Sequence, residues 1–449
     1  MMRSFKSGFG ALLLAGLVSG CGTLDTVGGW FGFGGSEAPL PGERIAVLQG
    51  ERSLQPDDAL ATREVLLPRP FVNPDWPQSG GYPSFAMHHL ETSDLPQVAW
   101  RVSVGEGSGS DRQVIAPPVV AQGRVFLKDA ASGVSAVDAE TGKLIWRADV
   151  SRKNSRDREG FGGGVAFFGG RLFVSTGSAQ VLALDPADGK EIWRANVSGP
   201  VRGAPTVFAD RVFVVSIDNQ THALNAVDGN DLWTHTGLTE AAGLLGGTSP
   251  AAAADIVVAP YSSGELTALR LETGRVLWSE NLITARRADS VSNLADISGR
   301  PVIDRGRVIA IGNAGVMTAI DQRSGTRLWD KPIGGTQTPW VAGDWIYVLS
   351  NNAEVVALSR EDGRIRWVTA LQRYRNEERK RDPLRWLGPV LAGDRLLVAG
   401  ASGQMLALSP YDGRIIGTLN IGTDLTMPPI VANRTIYLLT NNADLIALR

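Results

Sequence analysis

The sequence predicts an all-β fold: an eight-bladed β-propeller of four-stranded antiparallel blades, its ring closed by an N-terminal strand. Three observations predict it: a repeated turn-and-strand phrase, the spacing of its tryptophans, and a final unit one strand short. The phrase occurs seven times, as AVDAETGKLIW (136–146), ALDPADGKEIW (183–193), ALNAVDGNDLW (223–233), ALRLETGRVLW (268–278), AIDQRSGTRLW (319–329), ALSREDGRIRW (357–367) and ALSPYDGRIIG (407–417). Trp146, Trp193, Trp233, Trp278, Trp329 and Trp367 fall 47, 40, 45, 51 and 38 residues apart, and only the last copy has lost its Trp, to Gly417. A period of about 40–50 residues with strand-like content marks an array of propeller blades.

Each copy reads as the outer hairpin of a blade. Residues before the turn alternate with the period of two that suits a strand packed on its neighbours, as in Val181, Ala183 and Asp185 against Leu182 and Leu184. Asp138 or Asp185 caps the turn with its carboxylate, and Gly142 or Gly189 supplies the positive φ that closes it. The strand that follows ends on Trp, expected to lie flat between adjacent blades. Upstream stretches such as GAPTVFADRVFVVS (203–216), GRPVIDRGRVIAIG (299–312) and LGPVLAGDRLLVAG (387–400) supply the inner two strands, for the four that a blade needs. The last unit, 427–449, lacks an outermost strand, while LPQVAWRVSV (95–104) has the strand-plus-Trp pattern without a hairpin partner. Trp100 therefore takes the eighth Trp place, and closure leaves no free sheet edge across the join.

The front of the chain carries a different message. Arg3 and Lys6 precede a short apolar run, Ala11 to Val18, ending in Val-Ser-Gly-Cys at 18–21. That is a secretory signal over 1–20, too short to persist as a membrane-spanning helix. Its small-residue cleavage site directly before Cys21 resembles a bacterial lipobox, which makes Cys21 the lipidated N-terminus. Gly22, where lipoprotein families use Asp for inner-membrane retention, favours the outer membrane, with the chain on its periplasmic face. Cys21 is the sole cysteine, so no disulfide is available. Gly, Pro and Ser richness over 21–93 reads as a tether, leaving 94–449 for the propeller, with the Trp76 and Tyr82 neighbourhood expected on the ring's outside. A net charge of −2 gives no pull toward nucleic acid. SRKNSRDRE (151–159) and QRYRNEERKR (372–381) read as solvated inter-blade loops or a partner-docking rim.

Catalytic signatures are missing from the sequence. His88, His89, His222 and His235 have no metal-ligand spacing, and no nucleophile elbow, Walker loop or Cys-x-x-Cys occurs. The repeat itself is similar to that of pyrroloquinoline-quinone dehydrogenases, which are also eight-bladed, and NPDWPQSGG (73–81) loosely resembles a segment near their start. Those enzymes add a vicinal cysteine pair, calcium ligands and a catalytic aspartate in long loops. Here the short loops are expected to leave no room for a quinone, so no cofactor, metal or catalytic residue is assigned.

Lipobox, tether and eight-fold repeat together resemble the BamB family, the propeller lipoproteins of the outer-membrane β-barrel assembly (BAM) machinery. The resemblance implies a non-catalytic scaffold, lipid-anchored to the outer membrane. Its implied partners are the POTRA domains of BamA, other BAM subunits and unfolded outer-membrane proteins. It also implies two contact loops for BamA. The first maps to Ala242-Gly243-Leu244-Leu245-Gly246, where Leu244 and Gly246 match the family pattern while Ala242 and Leu245 replace its leucine and arginine. The second maps to Asp296-Ile297-Ser298, where Asp296 matches and Ser298 replaces an acid. Leu244, Leu245 and Asp296 are thus the implied partner-binding residues; the alternative is that the leucines fill their own loop and Asp296 caps a turn.

Overall fold

The computed structural model describes residues 54–60, 62–110, 112–151, 162–238, 248–283 and 296–449. Among them, eight four-stranded antiparallel sheets follow one another around an axis. Blades 1 to 7 span 119–149, 163–196, 206–236, 251–281, 302–331, 340–370 and 386–420. In each, the chain runs from an inner strand to an outer one. Blade 8 takes three strands from 430–448 and its fourth from Val98–Ser103, which pairs antiparallel with Asp444–Leu448. The expected closure is present.

The repeat phrase acquires its physical reason at the blade junctions. Every Trp sits opposite the Ala that opens its own phrase, in pairs such as Trp146–Ala136, Trp233–Ala223 and Trp367–Ala357, and Trp100 pairs likewise with Ala447. A register shift follows each pair and turns the indole toward the next blade. There the Nε1 of each of the six repeat tryptophans donates to a turn carbonyl, as Trp146 to Pro186 at 2.9 Å, Trp233 to Leu271 at 3.0 Å and Trp329 to Arg360 at 3.0 Å, while the Trp100 Nε1 has no partner. Each ring lies against the turn glycine of the next blade. A Cβ on Gly229 would fall 2.5 Å from Trp193, and one on Gly274 2.6 Å from Trp233. These glycines also hold φ near +70°, so two constraints select the same residue.

The exception at Gly417 follows from the same contact. Blade 8 has no hairpin between its third and fourth strands, because the fourth comes from Val98–Ser103. An indole on blade 7 would meet no turn glycine and no turn carbonyl. A second tie, missed in the sequence, reinforces the others: the arginine opening a blade's second strand reaches the same turn. Arg124 donates to Pro186 O at 2.7 Å, and Arg171 and Arg307 bond carbonyls of blades 3 and 6.

Residues 54–93 correct the expectation of a tether reaching residue 93. They pack with the ring in one compact unit that begins at Leu54. Trp76, Phe85, Met87 and Leu90 are buried. Trp76 therefore does not dock on the outside; it stacks on Trp340 of blade 6, centroids 6.4 Å apart. The segment makes one circuit of the axis, touching the inner strand or inner turn of each blade in turn. Asn73 O accepts from Asn433 of blade 8, and Trp76 exchanges both backbone bonds with Val120 of blade 1. Pro77 O accepts from Phe167 of blade 2, and the Gln78 amide bonds Val207 of blade 3 in both directions. Pro83, Ser84 and His88 carbonyls then accept from Ala252, Ile303 and the Trp340 indole, and Leu90 N donates to Leu391 of blade 7. This belt satisfies backbone groups that the inner strands, having no neighbour on the axis side, would leave unpaired. Its tightness depends on Gly81, at φ 92°, where a Cβ would fall 2.1 Å from Met87 Sδ.

Two predictions follow from these contacts. Trp193→Ala should lower stability by about 3–5 kcal/mol, and Gly229→Ala should also be destabilising. Denaturant melts of the double variant should show a coupling of at least about 0.5 kcal/mol between them, because removing the ring relieves the clash; strict additivity would refute the contact as the reason for the glycine. Trp76→Ala should likewise lower stability by about 3–5 kcal/mol, whereas Tyr82→Ala, at a half-exposed side chain, should cost under about 1. Equal, small effects would place the belt on the outside after all.

Candidate functional site

The belt makes the two ends of the axis unlike. It lies over the turns between first and second strands: Asp75 accepts from Gln122 N at 3.2 Å, and His89 Nε2 accepts from Asp394 N at 3.0 Å. At the other end run the connections from each outer strand to the next inner one. Several of these connections carry the positions singled out in the sequence. Leu244 and Leu245, in the link between blades 3 and 4, lie outside the described residues, as do Cys21 and nearly all of 151–159.

Asp296, in the link between blades 4 and 5, is described and buried. Its backbone carbonyl accepts from Asn313 N at 3.1 Å, and its carboxylate lies 3.5 Å from the Ser298 hydroxyl. It is placed to shape the link rather than to project from it. QRYRNEERKR becomes a short exposed hairpin, Tyr374–Asn376 against Arg381–Pro383, standing between blades 6 and 7. The Trp386 indole closes its base by donating to Gln372 O at 2.8 Å.

These connections rim a cavity of about 570 Å³ that opens at their end and is floored by the belt through Trp76, Gly80 and Phe85. Space is therefore present on the axis, which corrects the expectation that short loops leave no room. The wall carries Arg300, Thr338, Gln337 and Arg385. Arg300 Nη1 lies 3.4 Å from Thr338 Oγ1, and its guanidinium sits over the Phe85 ring at 5.8 Å. Desolvation by burial lowers its pKa to about 10. The sequence held one clue to it. The residue before the strand-opening Pro is Ala204, Ser249 and Gly388 in blades 3, 4 and 7, but Arg300 in blade 5.

Elsewhere the titratable groups serve the fold. His222 Nε2 lies 2.9 Å from Ser198 Oγ, a nucleophile-and-base pairing in outline. Its Nδ1, however, meets the neutral Thr234 hydroxyl at 3.2 Å, where a catalytic histidine needs a carboxylate. Burial holds His222 below its ordinary pKa. Lys128 is buried against Gly162 O at 3.0 Å, which lowers it to about 8. Among the described residues no group of three or more His, Cys, Asp or Glu is arranged to hold a metal.

Comparison with known proteins separates ring from family. Solved structures of under 25% identity share the architecture. BamB from Moraxella catarrhalis matches with TM-score 0.66 and 20% identity, over 79% of this chain and 100% of that one. A europium-containing methanol dehydrogenase matches with TM-score 0.67 and 14% identity, over 82% of this chain and 89% of that one. Folds this alike do not choose between scaffold and enzyme. Sequence does. The family described as "Outer membrane protein assembly factor BamB" matches residues 96–155 and 130–369. Proteins of that name from Shigella dysenteriae and Escherichia coli are 34% and 33% identical over 281 residues, 62% of this chain and 71% of each relative. With the match running over the closing strand and the first six blades of the ring, the chain belongs to the BamB family of outer membrane protein assembly factors.

Proposed function

We propose that this protein is a non-catalytic scaffold of the outer-membrane protein assembly machinery. It docks on the POTRA domains of BamA and helps deliver β-barrel proteins for insertion, held at the periplasmic face of the outer membrane by lipid on Cys21. Support comes from the family match over the ring, joined to the lipobox at 18–21. The docking surface is the end of the ring that the belt leaves open, in particular the links between blades 3 and 4 and between blades 4 and 5. Leucine supplies apolar area for the core of an interface, which is depleted in charged residues. Leu244 and Leu245 take that role here. Asp296, buried beneath the second link, sets its shape and the position of Ser298.

The alternative reading, a quinone-dependent dehydrogenase, draws on the fold shared with the methanol dehydrogenase and on the axial cavity. Against it stands the sequence: its single cysteine, Cys21, leaves no vicinal pair for the clamp such enzymes use.

Pull-down of the lipid-free protein on an immobilised BamA POTRA array tests the proposal. Wild type should be retained, and Leu244→Asp should reduce retention at least tenfold with unchanged circular dichroism. No retention of the folded wild type would overturn the docking assignment. Dye-linked alcohol oxidation after loading with the quinone and calcium would overturn the non-catalytic one.

A further inference from the structure

The cavity on the axis has a charge that the rest of the chain does not share. The protein carries a formal net charge of −2, yet the residues lining the cavity include Arg300 and Arg385 and no Asp or Glu. No acid pairs with either arginine among the described residues. The lowering of Arg300 is due to burial alone, with no carboxylate contributing. Arg385 is exposed, but Arg300 is desolvated without a counter-charge; such a cation is unfavourable and persists where something else supplies the missing charge.

Unmade hydrogen bonds point the same way. Two residues lining the cavity carry a buried donor bonded to nothing in the protein: Arg300 through Nε and Trp76 through its indole Nε1. Buried donors are nearly always satisfied, and these two belong to a floor residue and a wall residue of one cavity. The aromatic part of the lining is Trp76 stacked on Trp340, with Phe85 beneath Arg300, and hydroxyl and amide side chains such as Gln113, Gln337 and Thr338 make up much of the rest. The volume, about 570 Å³, is that of a small-molecule pocket. It is blind, because the belt closes the far end.

We infer that this funnel is a binding site for a carboxylate borne on a flat apolar body, with Arg300 and Arg385 taking the anion and Trp76, Phe85 and Trp340 the body. Guanidinium groups match carboxylates in geometry and make the stronger, charge-assisted bonds. Two sources share this chemistry: a free aromatic acid, and the C-terminal end of an apolar polypeptide. The site is independent of POTRA docking, and neither reading requires the other.

Calorimetric titration of the full soluble protein with four probes tests the inference: 2-naphthoate, 2-naphthamide, and an apolar tetrapeptide with a free or an amidated C-terminus. Naphthoate should bind at least tenfold more tightly than its neutral amide. Arg300→Gln should weaken it at least tenfold, Arg300→Lys less, and the more exposed Arg385→Gln severalfold with an unchanged melting curve. Binding of the free-acid peptide over the amidated one would support the site with chain ends as a source; binding of naphthoate alone would support it with small acids as the ligand. The inference is overturned if acid and amide bind alike, if neither acid binds at millimolar concentration, or if folded Arg385→Gln and Arg300→Lys both bind as wild type does.

Discussion

An indole resting on its neighbour's turn glycine is the contact from which the rest of this ring follows. The blade that carries the Trp cannot bury it alone, and the blade that carries the Gly cannot cover its own turn. Each therefore needs the other, so blade stability is shared along the series as in other repeat architectures. The contact is also directional. The register shift after the Trp–Ala pair aims the ring, and the Nε1 bond to a turn carbonyl fixes its depth. Arg124, Arg171 and Arg307 fasten the same turns from the second strand.

Directional contacts oblige the series either to end or to close. Here the strand Val98–Ser103 completes blade 8, and Trp100 lies against Gly142 of blade 1 as every other Trp lies against its glycine. Gly417 marks the one junction where the partner turn is absent, which is why the loss of a Trp there does not open the ring. Closure creates a second problem at the axis, where eight inner strands face one another across a space. The belt from Asn73 to Thr92 resolves it at one end and leaves the other open. That asymmetry separates a closed face from one that carries the long links, the hairpin at 374–383 and the funnel mouth.

Scaffold and enzyme on this ring differ in what is hung on the links, while the blades are the same. The blade repeat is a device for docking sheets, so it carries no chemistry, and structures of both kinds superpose on it equally well. What distinguishes this chain is its own: a solitary cysteine, Cys21, and a basic funnel floored by aromatic rings.

Fold class, blade number, the Trp and Gly positions and the closing strand were all legible in the sequence, because each rests on a period or on a local turn that a linear reading registers. The place of 54–93 was not. Its Gly, Pro and Ser content is that of a tether, and what orders it is bonding to eight inner strands up to about 360 residues away along the chain. Composition reports the propensity of a segment; it does not report the unpaired backbone waiting for it. The candidate site divides the same way. Asp296 was singled out through the family resemblance, yet only the packed structure shows it buried under its link. Arg300 differed from its counterparts in the repeat by one residue type. That it lines one cavity with Arg385 and Trp76 was decided by ring closure, which alone brings the walls of distant blades together.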